Sequence, residues 1–200
     1  MTAQSYATST AVKLRMNLGT ADTTDDALIT TICGQVNDWV EDEIGRPVGP
    51  LAAQTYTFDG DGSDCLFIRN GIRTITSLSI APNTGDTKLA ETNFVLLPRT
   101  QDRRPGWPAF EVKLTNLSIV RFYWGYSNIE IVGDFGWDAI PPDLKEVAET
   151  VAVRAWHARQ TGQTDVIGSD ADGNPIVSRF VSGKDMKTIR RYKVDYLVAG

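Results

Sequence analysis

The sequence holds a single histidine, His157, and two cysteines, Cys33 and Cys65, in 200 residues. Catalysis by general acid, general base or nucleophile draws on convergent groups of such kinds. One histidine beside Trp156 on a helical stretch offers no convergence, so the chain reads as a non-enzyme. The cysteines fall on a helix face and in an apolar strand run, without Cys, His or Asp at metal-ligand spacing, and are expected to be reduced core thiols. Phosphate-cradling glycine patterns, HExxH and GxSxG are all missing, and no cofactor or metal is expected. Long apolar runs are missing too. No stretch approaches the roughly 18 apolar residues of a membrane helix, and MTAQSYATSTAVK has no basic region followed by an apolar run, so neither a span nor a secretory signal is expected. Basic residues are in the minority, 20 against 25 acidic for a net charge of −5. That balance argues against a grip on nucleic acid, which needs clustered Lys and Arg.

With 42% hydrophobic and 22% charged residues, the chain has the make-up of a globular protein with a real core. Its charge is uneven. Residues 1–50 carry a net −4 and residues 184–200 a net +3, so the two ends suit opposite partners, or each other in a neighbouring copy. Leu28, Ile32, Val36, Trp39, Val40 and Ile44 recur at helical spacing and predict an amphipathic helix over 25–44. Thr23 with Asp26 resembles a capping box at its start, and Gly45 with Pro47 ends it. A shorter helix over about 10–18, closed by Gly19, precedes it. From Thr55 to Ile131 the pattern changes to TYTF, CLFI, ITSLSI, NFVLL, FEVKL, IVRFYW and IEIV between turn-rich segments, which predicts a small sandwich or barrel. After Pro141-Pro142, Leu144, Val147, Ala148, Val151, Ala155 and Trp156 line a second strong helix that stops at Gly162.

The fold expected is therefore α+β: a helical bundle from the N-terminal and C-terminal segments, an inserted all-β domain and an extended C-terminal arm. The corresponding boundaries are 1–50, 51–137, 138–162 and 163–200. In the arm, VIGSDADGNPIVSRF reads as a hairpin, and Ser182 with Asp185 caps a short basic helix. Arg179, Lys184, Met186, Lys187, Ile189, Arg190, Arg191, Tyr192 and Tyr196 are the candidate partner-binding residues, because apolar, aromatic and arginine side chains interleaved on one element anchor interfaces.

DGDGSD, Asp59 to Asp64, alternates carboxylates as a calcium loop does, but Asp64 and Asn70 stand where the EF-hand needs glycine and glutamate. DADGNP, Asp170 to Pro175, fails in the same way, and both read as turns. Trp107, Tyr123, Trp124, Tyr126 and Trp137 suggest either a carbohydrate or peptide groove on the β region or core packing, and such residues pack cores more often than they bind ligands. Alternation in IVRFYWGY puts Ile119, Arg121 and Tyr123 on one face and Val120, Phe122 and Trp124 on the other.

Three stretches in this order resemble the head–tail connector adaptors of siphophages. The first is YATSTAVKLRM, Tyr6 to Met16, running into DTTDDALI and closing with IGRP at Ile44 to Pro47. The second is NIEIVGDFGWDAIPPDLKEVAE, Asn128 to Glu149, a strand, Phe-Gly-Trp turn and Pro-initiated helix. The third is LFIRNGIRTITSLSI, Leu66 to Ile80, which is similar to a β insertion in longer members. The resemblance implies a structural virion protein of the neck, assembled in the host cytoplasm as a homo-oligomeric ring of about a dozen copies. Its partners would be the portal protein and a stopper or tail-side connector protein. Genome DNA would pass through without sequence-specific binding, and no membrane is involved. The alternatives are a stopper or tail-completion protein of the same connector, or a small β-domain binding module.

Overall fold

The computed structural model describes residues 4–19, 23–83, 85–115, 121–160, 166–169, 175–177 and 181–193. The chain divides into two compact units, Met1–Pro47 with Pro141–Gly200, and Val48–Ile140.

The first unit contains α1 (Ser9–Arg15), α2 (Asp26–Ile44), α3 (Pro142–Gln160), α4 (Gly183–Arg190) and the antiparallel pair β7 (Val166–Ser169) and β8 (Pro175–Val177). Helix α2 buries Ile29, Ile32, Cys33, Val36, Val40 and Ile44. The apolar stripe is thus centred one step away from the expected one, with Leu28 and Trp39 half-buried at its margins. Its N-cap is Asp25, with no side-chain cap bond. Thr23 contributes only its carbonyl, to the Asp26 N–H at 3.3 Å, because the Asp26 carboxylate is held by Lys13 instead. Gly45 ends α2 at φ 79°, its N–H donating to the Glu41 carbonyl. Helix α1 stops before Gly19: Arg15 is its last residue and Met16 its C-cap, and Asn17 follows at φ 55°, which asparagine tolerates better than most residues. Leu144, Val147, Ala148, Val151, Ala152 and Trp156 are the buried side of α3.

The second unit is one antiparallel sheet of β1 (Pro50–Gly60), β2 (Cys65–Ile80), β3 (Leu89–Glu91), β4 (Phe94–Leu97), β5 (Ala109–Leu114) and β6 (Gly125–Gly136). The strand path is β1-β6-β2-β5-β4, with β3 on β2. Strand β6 alternates at period two, so that Ile129, Ile131 and Phe135 enter the core with Leu66, Ile68, Ile72, Leu78 and Val112. CLFI and ITSLSI, which read as two strands, form the single strand β2. Its first part pairs with β5 through Cys65, Leu66 and Phe67, and its second with β6 from Thr74 to Ile80. Gly71 between them, at φ 72°, supplies the left-handed turn of backbone that lets one strand serve two neighbours.

The expected architecture is therefore corrected. Among the described residues, a six-stranded antiparallel sheet accompanied by four α-helices stands where a helical bundle with an inserted sandwich or barrel was expected. α+β holds only in the broad sense. A sandwich needs two separate stacked sheets, but joining two runs into β2 and pairing β6 on both edges places the strands in one continuous hydrogen-bonded sheet. The extended arm is corrected too, since α4 packs against α2 and α3.

Candidate assembly surfaces

Helix α4 begins at a capping box: the Ser182 hydroxyl accepts from the Asp185 N–H at 3.2 Å, and the Asp185 carboxylate accepts from the Ser182 N–H at 2.8 Å. That carboxylate also receives Arg154 of α3 at 2.6 Å. Burial opposes its ionisation, yet the Ser182 N–H, the Arg154 guanidinium and the Ser182 hydroxyl outweigh burial and hold the carboxyl below the ordinary aspartate value. At the other end the Tyr192 hydroxyl donates to Asp143 at 2.7 Å, and Arg46 donates to the Tyr192 carbonyl at 2.9 Å.

The candidate partner-binding residues consequently split. Ile189, 0% exposed, and Tyr192, 4% exposed, belong to the interior of their own unit. Met186 is half-buried, while Lys184, Lys187, Arg190 and Arg191 are exposed at three- and four-residue spacing and share the outward side of α4. Arg191 reaches Asp143 at 3.4 Å. Arg179 and Tyr196 lie outside the described residues. Sequence periodicity found the apolar edge of this helix, but edge residues look alike whether they cover the chain's own core or a partner.

Between α3 and α4 lies a cleft of 370 Å³ lined by charged residues that include Asp143, Glu146, Arg154, Lys184, Asp185 and Arg191. Several of these neutralise one another, as Arg154 with Asp185 and Arg191 with Asp143. Such pairs hold α3 and α4 together.

The second surface is aromatic and lies in the sheet unit. Trp124 is 78% and Tyr126 77% exposed, beside the turn between β1 and β2. The run IVRFYW is not a strand where it is described. The Tyr123 N–H bonds back to the Arg121 carbonyl at 2.9 Å, and this tight turn at Phe122 breaks the alternation. Phe122 is fully buried and Trp124 is exposed, although alternation put them on one face. Backbone bonds fasten Phe122 to the turn: its N–H to the Ser63 carbonyl at 3.0 Å, and its carbonyl to the Gly62 N–H at 2.6 Å. Gly62 sits at φ 82°, and a Cβ there would lie 2.6 Å from the Trp124 indole nitrogen, so glycine is what lets the ring rest beside the turn. Asn128, 1% exposed, completes the base. Its amide oxygen accepts from the Gly60 N–H at 3.0 Å, and its NH₂ donates to the Ala81 carbonyl at 3.2 Å and the Tyr123 carbonyl at 2.7 Å.

The other candidate groups are engaged locally. Asp59 accepts from the Ser127 N–H at 2.7 Å, Asp61 from the Ser63 N–H at 2.9 Å, and Asp64 lies 3.5 Å from Lys113. His157 is exposed and packs edge-on to Trp156. Burial and then the Glu149 charge push the Cys33 thiol up; burial and then Glu111 do the same to Cys65. Neither thiol is activated toward the nucleophilic thiolate. Among the described residues no group of three or more His, Cys, Asp or Glu is placed to hold a metal ion. Of DADGNP, only Pro175 is described.

No protein-family profile matches the chain, and no curated protein matches it. Solved structures do. A chain from the neck of an empty gene transfer agent (GTA) particle, computed with C6 symmetry, superposes with a TM-score of 0.55 at 13% identity, covering 100% of this chain and 96% of that one. A chain from the virion of a native GTA particle superposes with a TM-score of 0.52 at 14% identity, covering 99% of this chain and 93% of that one. At such identities the likeness is one of fold, and it extends over both units of the chain.

Proposed function

We propose that the chain is a non-enzymatic structural protein of the neck of a tailed phage or phage-like particle. In this reading it is the head-to-tail adaptor, a ring between the portal and the tail connector that lines the DNA channel. The observation that carries it is the superposition over the whole chain on a chain from a particle neck computed with C6 symmetry. The order of the adaptor-like stretches in the sequence agrees, and the two exposed surfaces supply what a ring subunit needs. A pair of outward aromatic rings suits a protein contact, since tryptophan and tyrosine concentrate binding energy. The basic side of α4 suits an acidic partner surface. A net charge of −5 suits a conduit through which DNA slides without being gripped.

Image averages of particles assembled without this chain test the assignment. Loss of the ring next to the portal is the expected result. Loss of the tail-side ring instead identifies the chain as the stopper or tail-completion protein. The exposed Trp124 and Tyr126 also fit the second reading, a binding module built on the sheet. Saturable binding of the full chain to a glycan or peptide array, abolished by Trp124→Ala, would favour that reading.

A further inference from the structure

We infer that neighbouring copies of this chain meet through unlike helix faces, the outward side of α2 in one copy receiving the basic side of α4 from the next. The inference rests on the ring reading above and specifies its subunit contact. Ring closure from identical copies requires a heterologous interface, two different surfaces on each chain that complement each other.

Helix α2 offers the first surface. Gly34, Asp38 and Asp42 are exposed on one side of it, opposite its buried stripe. Asp38, Glu41, Asp42 and Glu43 crowd its C-terminal half, and its last turn holds no basic residue. Glu41 accepts from the Gln4 N–H at 2.9 Å, but negative charge is disfavoured at this end by the helix dipole, so the exposed Asp38 and Asp42 do not serve the stability of α2 itself. Gly34 is a poor helix former in mid-helix. A Cβ at that position would meet nothing within 4 Å, so the chain's own packing does not require glycine. A bare backbone one turn from Asp38 does admit the close approach of another helix.

Helix α4 offers the second surface, with Lys187 and Arg190 exposed on its outward side. Among the described residues neither of these cations forms an ion pair, and neither do Asp38 and Asp42, although α2 and α4 pack together within one chain. Opposite charges left unmatched on two helices of one chain are matched by placing a second copy alongside. A partner of a single charge sign would satisfy only one of the two faces.

Charge exchange in the full chain tests the contact by analytical ultracentrifugation at about 100 µM protein, in about 0.05 M and about 0.5 M salt. The wild-type chain should self-associate in low salt and weaken at least about tenfold in high salt. Asp38→Lys with Asp42→Lys, and separately Lys187→Glu with Arg190→Glu, should each weaken association at least about tenfold. Mixing these two variants, or placing all four substitutions in one chain, should restore it. The contact is overturned if the wild type stays monomeric in low salt, if both reversed variants associate as the wild type does, or if the combination fails to restore association while circular dichroism shows folded protein. Particle images separate this from the adaptor role itself: a portal-side ring built from either reversed variant removes the contact and leaves the role standing.

Discussion

Replacing Asn128 by alanine should weaken the sheet unit more than any surface change. The side chain is 1% exposed and joins three backbone segments through Gly60, Ala81 and Tyr123. The alanine variant leaves the Gly60 N–H and Ala81 carbonyl without these partners in a buried setting, and the Tyr123 carbonyl in a partly buried one. An orphaned buried polar group costs about 1–3 kcal/mol, so two such groups, with some relaxation, give roughly 3–5 kcal/mol. For a chain of this size each kcal/mol lowers the midpoint by about 2–4 °C, so the melt should fall by roughly 10 °C. Calorimetry measures it directly, with Asn128→Asp as a control. The carboxylate still accepts from Gly60 but opposes the carbonyls of Ala81 and Tyr123. That variant should be at least as unstable near neutrality and should recover as acid converts the group into a donor. A midpoint of Asn128→Ala within about 2 °C of wild type would refute the reasoning.

Trp124→Ala should leave the midpoint within about 2 °C of wild type, because its ring is 78% exposed, while lowering the yield of assembled particles. Trp156→Ala should cost about 3–5 kcal/mol in chemical denaturation, since Trp156 is 6% exposed, whereas Trp39→Ala at its half-buried site should cost less. The folded carboxyl of Asp185 is held below its ordinary value, so its contribution to stability is complete above the unfolded value and lost as pH falls through the lower, folded one. Arg154→Ala and wild type should therefore begin to converge in stability as pH falls below about 4 toward the lower, folded value, and a gap that stays constant into acid would contradict the pairing. Calcium should leave the melting midpoint of wild type and Asp61→Ala equally unchanged, which a titration followed by thermal denaturation would measure.

Most signals that lie within one element are legible in the sequence, although the Thr23–Asp26 box is lost because Lys13 holds the Asp26 carboxylate. The Gly45 stop of α2, the proline start of α3 and the Ser182–Asp185 box each depend on residues a few positions apart, and each is present. What escaped depends on contacts between distant residues. Whether CLFI and ITSLSI make two strands or one is decided by the backbone at Gly71 and by which strands flank β2, and a glycine in sequence reads equally well as a break. Alternation put Trp124 on one face with Phe122, which holds only while the chain remains extended. The turn at Phe122 breaks that condition, and it is held by bonds to Ser63 and Gly62, some sixty residues away.

Assembly surfaces are hardest to read for the same physical reason. A buried apolar residue and an interface apolar residue obey one rule, removal from water, so Ile189 and Tyr192 qualify for either role until tertiary packing assigns them to the interior. Charge carries different information. An exposed cation costs the monomer little wherever it stands, so its position is free to answer a partner. Lys187 and Arg190 on one side of α4, and Asp38 and Asp42 on one side of α2, are the features that the monomer's own packing does not explain. Trp124 and Tyr126 belong with them, since burying either ring would stabilise an isolated chain. Residues held against the interest of the monomer indicate where another molecule makes up the loss, and in this chain they lie on α2 and beside the turn between β1 and β2, while the cations of α4 cost the monomer little and are free to answer a partner.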